Sequence, residues 1–104
     1  MKGEVMPLSI LVRTYTGEVL ATSLHPAIGA ICESARKRGL VMLGCVDKYD
    51  DTVFNRTQVS HIRGELVRLR ELCDADETVA LSELAKLLDV VSERPHRYLV
   101  FNGD

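Results

Sequence analysis

Two apolar stripes follow one another between Val59 and Val91, and they restrict what this chain folds into more than any other feature. Val59, Ile62, Leu66, Leu69 and Cys73 recur at alternating steps of three and four, with Leu72 widening the stripe. After the break "CDADE", Ala80, Leu81, Leu84, Leu87, Leu88 and Val91 repeat the pattern. Such spacing lines one face of an α-helix. Two amphipathic helices joined by so short a connection pack antiparallel and need a further apolar surface to lie on. Asp76 is the expected N-cap of the later helix. Gly64, inside the earlier one, costs about 1 kcal/mol relative to alanine and reads as a point where another backbone comes close.

The polar residues ahead of the first stripe have the spacing of a helix start. With Asn55 as N-cap, its side chain accepts from the amide of Thr57 or Gln58. Gln58 stands at N3 and reaches back to the N-cap amide, while Phe54 and Val59 occupy the two positions of a hydrophobic staple.

The surface those helices need comes from strands. Leu8, Ile10 and Val12 alternate with Ser9, Leu11 and Arg13, and Thr16-Gly17 reads as the turn into a second strand over Glu18 to Thr22. Pro26 opens a helix whose buried face is Ile28, Ile31, Cys32 and Ala35. Arg36, Lys37 and Arg38 oppose its dipole, and Gly39 stops it. The run "LVMLGCV", Leu40 to Val46, is apolar throughout, which predicts a central strand buried on both faces. Pro95 ends the last helix, and His96 to Phe101 reads as a final strand with two apolar faces. The order is β-β-α-β-α-α-β: one α/β domain over residues 1–104, with about four strands and three helices, an α+β arrangement being the variant. Strands joined by helical crossovers are expected to be parallel, with both sheet faces covered by helices or by another subunit.

Composition narrows the class of function. Across 104 residues the formal net charge is −2, with 27% of residues charged and 46% hydrophobic. That balance argues against a general binder of nucleic acid or anionic membrane. No run reaches the roughly 18 apolar residues of a membrane helix, and Met1 to Val12 lacks the features of a signal peptide. Cys32, Cys45 and Cys73 are odd in number, far apart and outside any C-x-x-C pair, so free thiols in a cytoplasmic protein are expected.

Each candidate site competes with a structural explanation. Asp47, Asp50 and Asp51 supply the oxygens a hard cation takes, but without the glycine and terminal glutamate of an EF-hand. His25, His61 and His96 fall in no metal-ligand cluster, and no nucleophile motif is present, so neither metal nor cofactor is expected. On the first long helix Glu65–Arg68 and Arg68–Glu71 are spaced as i, i+3 ion pairs, which accounts for its arginines without nucleic acid.

"DTVFNRTQ" (Asp51 to Gln58) and "RPHRYLVFNGD" (Arg94 to Asp104) together resemble a group of small bacterial proteins of unassigned function. The resemblance covers the second half of the chain. It implies a shared fold and that the two segments adjoin in space, and it carries no activity. A site, if formed, is expected among Asp50, Asp51, Asn55, His61, His96, Tyr98 and Asp104. The leading functional expectation is a non-enzymatic module that binds a protein partner or a second copy of itself. The alternatives are a metal-dependent hydrolase or nuclease using the Asp47–Asp51 loop with a histidine, and an immunity- or antitoxin-type inhibitor of a larger enzyme.

Overall fold

In a computed structural model, which describes residues 8–103, the chain's first and last strands pair in the middle of its sheet. The strands are β1 (Ser9–Thr14), β2 (Val19–Leu24), β3 (Thr52–Phe54) and β4 (Arg97–Asn102). They lie in the order β2-β1-β4-β3, antiparallel throughout. The helices are α1 (Ile28–Lys37), α2 (Arg56–Arg70) and α3 (Ala75–Glu93). The β-β-α-β-α-α-β order holds. The third strand, however, is a short edge strand rather than a central one, and no neighbouring strands are parallel.

The strand expected over Leu40 to Val46 does not form. That segment is a 3₁₀ turn, Leu43–Cys45, with flanking loop. Leu40, Leu43 and Val46 are buried, whereas Val41 and Cys45 are exposed. Burial at every third residue is the period of a 3₁₀ helix, whose side chains at i and i+3 eclipse. A strand buried on both faces would hide every residue. Gly44 fits the turn against α1: a Cβ there would stand 3.1 Å from the Arg36 Cα.

One apolar cluster holds the layers together. Ile10, Val12, Leu99, Phe101 and Phe54 from the sheet meet the buried faces of all three helices. The rings of Phe54 and Phe101 cross at 89° with centroids 5.8 Å apart, an edge-to-face contact worth about 0.5–1.5 kcal/mol beyond its buried area. Val100 is also buried yet lies outside that cluster, on the other face of β4. The strand apolar on both faces is thus β4, and the expected covering of both sheet faces is not found: among the described residues the helices pack on one face.

The helix termini follow the local sequence closely. Asn55 Oδ1 accepts from the Gln58 amide and Gln58 Oε1 from the Asn55 amide, both at 2.9 Å, so the expected capping box is formed. Gly39, at φ 72°, ends α1; the Leu40 amide donates to the Ala35 carbonyl and the Gly39 amide to that of Arg36, which completes a Schellman motif. α1 begins at Ile28 rather than Pro26, with the His25 Nδ1 accepting from the Ala27 amide. Asp74, not Asp76, caps α3. Its carboxylate accepts from the Glu77 amide at 2.8 Å and Glu77 reaches back at 3.0 Å, a reciprocal pair that Asp76 has no partner to form. Asp74→Ala is therefore expected to lower stability by about 1 kcal/mol. Asp76→Ala loses only a dipole contribution of a few tenths of a kcal/mol. Urea denaturation of the two variants checks the order.

Candidate functional site

The expected site residues fall into three groups, because β4 separates them. Thr52 pairs with Phe101 and Phe54 with Leu99, so the loop before β3 sits at the far end of β4 and the residues after β3 at its start. The adjacency of Asp51–Gln58 and the last strand is present in this pairing.

At the start of β4, Asn55, His96 and Tyr98 line one depression of about 160 Å³ with Arg56, Thr57 and Arg97. His96 lies just outside the strand at φ 65°, a left-handed backbone that is uncommon in residues other than glycine. Its carbonyl accepts from the Tyr15 amide at 2.9 Å, and its ring meets Tyr15 edge-on at 6.4 Å. Most polar groups here are already engaged. Asn55 caps α2, the Arg56 guanidinium donates to the Ser92 carbonyl, and Arg97 donates to the Val90 carbonyl and pairs with Glu93.

At the other end are Asp50 and Asp51. The Asp51 amide donates to Asp50 Oδ1, and the Tyr49 amide to Asp47 Oδ1, both at 2.8 Å, so these carboxylates shape their own loop. A Cβ on Gly103 would collide with the backbone of Asp50, which shows how closely the strand end and the loop approach. Asp104 lies outside the described residues. From Tyr98 to Asn102 is four strand residues, roughly 13 Å, so Asp51 and Tyr98 do not line a common pocket. Among the described residues, no three His, Cys, Asp or Glu side chains converge as a metal site.

His61 belongs to neither group. It lines a groove of about 310 Å³ on the helical side with Leu40, Val41, Gly64, Glu65 and Arg68, among others. The expected close backbone contact at Gly64 is absent: a Cβ there meets nothing within 4 Å. Nor does Glu65 pair with Arg68. It is only 8% exposed, and its two oxygens accept from the Met42 and Leu43 amides at 2.9 Å each. These are the free amides at the start of the 3₁₀ turn. The signal was in the sequence, since Glu65 falls three residues after Ile62 and four before Leu69, on the buried stripe.

The residues that sequence reasoning passed over lie on the sheet face that no described helix covers. Directly opposed pairs in an antiparallel ladder share a face, so Leu11, Thr22, Val53 and Val100 form one row across all four strands. Val53 is 44% exposed and Leu24, two residues along from Thr22 on the same face, is 63% exposed. Arg13 lies over the Tyr98 ring at 5.5 Å, and Asn102 donates to the Ser9 hydroxyl at 3.3 Å, so polar side chains bound the row on both sides. The alternation of Thr52 and Phe54 inward with Val53 outward was the signal available, hidden because these residues read as loop.

No protein-family model, curated protein or solved structure matches the chain.

The thiols differ sharply in environment. Burial pushes Cys32 up to about 12; Arg36 opposes this and the Glu65 carboxylate adds to it. Cys73 is also raised, chiefly by desolvation and then by Glu77 and Asp74, and its Sγ donates to the Leu69 carbonyl. Cys45 is exposed. Since the thiolate is the reactive form, a maleimide at pH 8 is expected to label Cys45 first, Cys73 more slowly, and Cys32 only on unfolding. Peptide mapping of timed samples checks this sequence.

Proposed function

We propose that the protein is a small cytoplasmic module that binds a protein partner, or a second copy of itself, through the face of its sheet opposite the described helices, without catalysis. The observation that carries this reading is the apolar row Leu11–Val100–Val53, continued by Leu24 and bounded by polar side chains, on a face no described helix covers; Val53 and Leu24 are its exposed members, while Val100 is buried and Leu11 half-buried. An apolar patch rimmed by polar residues is the usual form of an interaction site. Free thiols fit a reducing compartment, and no helix among the described residues is long and apolar enough to cross a membrane. The resemblance of Asp51–Gln58 and Arg94–Asp104 to small bacterial proteins supports a bacterial setting. An inhibitor of a larger enzyme is one form such a partnership takes. The acidic loop offers the hydrolase alternative no comparable support, since Asp47 and Asp50 hold their own loop.

The dimensions set the strength of the contact. Four strands about 4.8 Å apart and some five residues long present roughly 320 Å², about two-fifths of the ~800 Å² per partner typical of stable complexes. Self-association through this face alone is therefore weak. In sedimentation velocity the wild type is expected to show a concentration-dependent rise in weight-average mass near the millimolar range. Val53→Lys, a charge on an edge strand of the kind that blocks pairing, is expected to abolish it. A chain that stays monomeric, and that recovers the same partners from its own lysate with or without Val53→Lys, would overturn the proposal.

A further inference from the structure

The sheet has two edges, and they are not alike. β3 is three residues long and follows Asp50 and Asp51, the short, charge-flanked form that keeps an edge from pairing with other chains. β2 is six residues long, VLATSL, with neither a charge nor a proline. Its one protection is a bulge, where Leu20 is the extra residue opposite the Val12/Arg13 step. Among the described residues no strand pairs with the outer side of β2.

Which groups face outward follows from alternation along β1. The Thr14 amide donates to the Glu18 carbonyl at 2.8 Å, toward β2, and the Tyr15 amide to the His96 carbonyl at 2.9 Å, toward β4. Even-numbered residues of β1 therefore bond to β2. Ile10 and Val12 exchange bonds with their partners Ser23 and Ala21, which leaves the amides and carbonyls of Thr22 and Leu24 directed away from the sheet.

We infer that β2 pairs antiparallel with β2 of a second copy, about a two-fold axis that passes the edge at Ser23. With Ser23 opposite its counterpart, Thr22 of each copy faces Leu24 of the other, and each of these pairs exchanges both of its main-chain hydrogen bonds. The helix above the edge repeats the symmetry. Val79, Glu83, Lys86 and Val90 lie within about 60° of one another around α3, with Val79 50% exposed and Val90 half-buried. The order along this stripe is apolar, acid, base, apolar. An antiparallel image of it sets Glu83 against Lys86 and Val79 against Val90, and both pairings share one midpoint, between Leu84 and Ala85. That midpoint stands level with the centre of the strand pairing. The Ser23 hydroxyl donates to Glu83 Oε1 at 2.7 Å, and Thr22, Ser23 and Leu24 share a depression of about 360 Å³ with Glu83, Lys86 and Leu87. One axis thus serves strand and helix together, which is what a self-complementary two-fold contact requires. A strand from an unrelated protein would pair with the edge alone and leave the reversed charge order without a purpose.

From Val79 to Val90 the stripe is roughly 17 Å long, and from strand edge to helix the contact is about 15 Å deep, some 250 Å² per copy. That area suits a reversible dimer rather than an obligate one. The main-chain bonds and the two Glu83–Lys86 pairs make it tighter than a contact of similar size without them. The sheet face of Val53 and Leu11 stays open in this arrangement, so either assignment stands or falls without the other.

Sedimentation velocity on the full-length chain, from about 10 μM to 1 mM, tests the edge contact. The weight-average mass is expected to double at concentrations about tenfold below those at which the sheet face associates. Val53→Lys leaves this first step in place and removes only the later one. Lys86→Glu gathers carboxylates about the axis and Glu83→Lys gathers ammonium groups, so each variant alone is expected to dimerise about tenfold or more weakly. An equimolar mixture of the two recovers the dimer, because the acids of one copy then meet the bases of the other. Amide exchange in the wild type gives a readout free of substitution: Thr22 and Leu24 become more protected as concentration rises. A chain that remains monomeric below the millimolar range overturns the inference, as do a mixture that fails to recover the dimer and exchange at Thr22 and Leu24 that ignores concentration. Loss of the first step in Val53→Lys overturns it in favour of the sheet face.

Discussion

A single buried carboxylate joins the two halves of this molecule. Glu65 projects from the middle of α2 into the connection between α1 and β3, and its two oxygens take the Met42 and Leu43 amides. Burying a charge is costly unless it is fully hydrogen-bonded. Here each oxygen receives a charge-assisted bond of about 1.5–3 kcal/mol, and two amides that would otherwise be orphaned are satisfied in the same stroke. The consequence is positional. With Met42 and Leu43 fixed, Leu40, Leu43 and Val46 drop into the core at successive turns, Gly44 lies against the α1 backbone, and Arg36 of α1 reaches the Gly44 carbonyl at 3.4 Å. The chain then leaves toward the acidic loop and β3 on a defined course.

That anchor also explains what could and could not be read from the residues. The three helices and their buried stripes were legible, because periodicity and capping are local: Asn55 with Gln58, and Gly39 after a basic turn, act within five residues of themselves. Leu40 to Val46 misled because composition there is apolar at every position, while burial follows a period of three imposed by a glutamate more than twenty residues away. Asp76 and Asp74 are both good caps in isolation. The reciprocal partner Glu77 decides between them, since it stands at N3 only when Asp74 is the cap.

Sheet order was beyond local reasoning for another reason. The central pair joins Ser9 to Asn102, nearly the whole chain apart, and loop-closure entropy grows so slowly with length that sequence distance barely penalises such a pairing. Once β4 is central, its two apolar faces acquire a meaning: Leu99 and Phe101 serve the core, and Val100 serves the opposite row. The candidate site was legible only in pieces. Asn55, His96 and Tyr98 do come together, but Asp51 sits a strand length away. The apolar row went unseen because membership of a face depends on pairing partners. The sheet face opposite the helices therefore carries an apolar row that no described helix covers.

Amide hydrogen exchange tests the anchor most directly. If Glu65 holds the turn, the Met42 and Leu43 amides of the wild type exchange as slowly as those of Leu99 and Phe101 in the centre of the sheet. In Glu65→Gln, whose carbonyl oxygen can take only one of the two amides while its NH2 cannot accept the other, protection of at least one of them collapses while that of Leu99 and Phe101 persists. Rapid exchange of Met42 and Leu43 in the wild type, or protection unchanged by Glu65→Gln, would contradict the account.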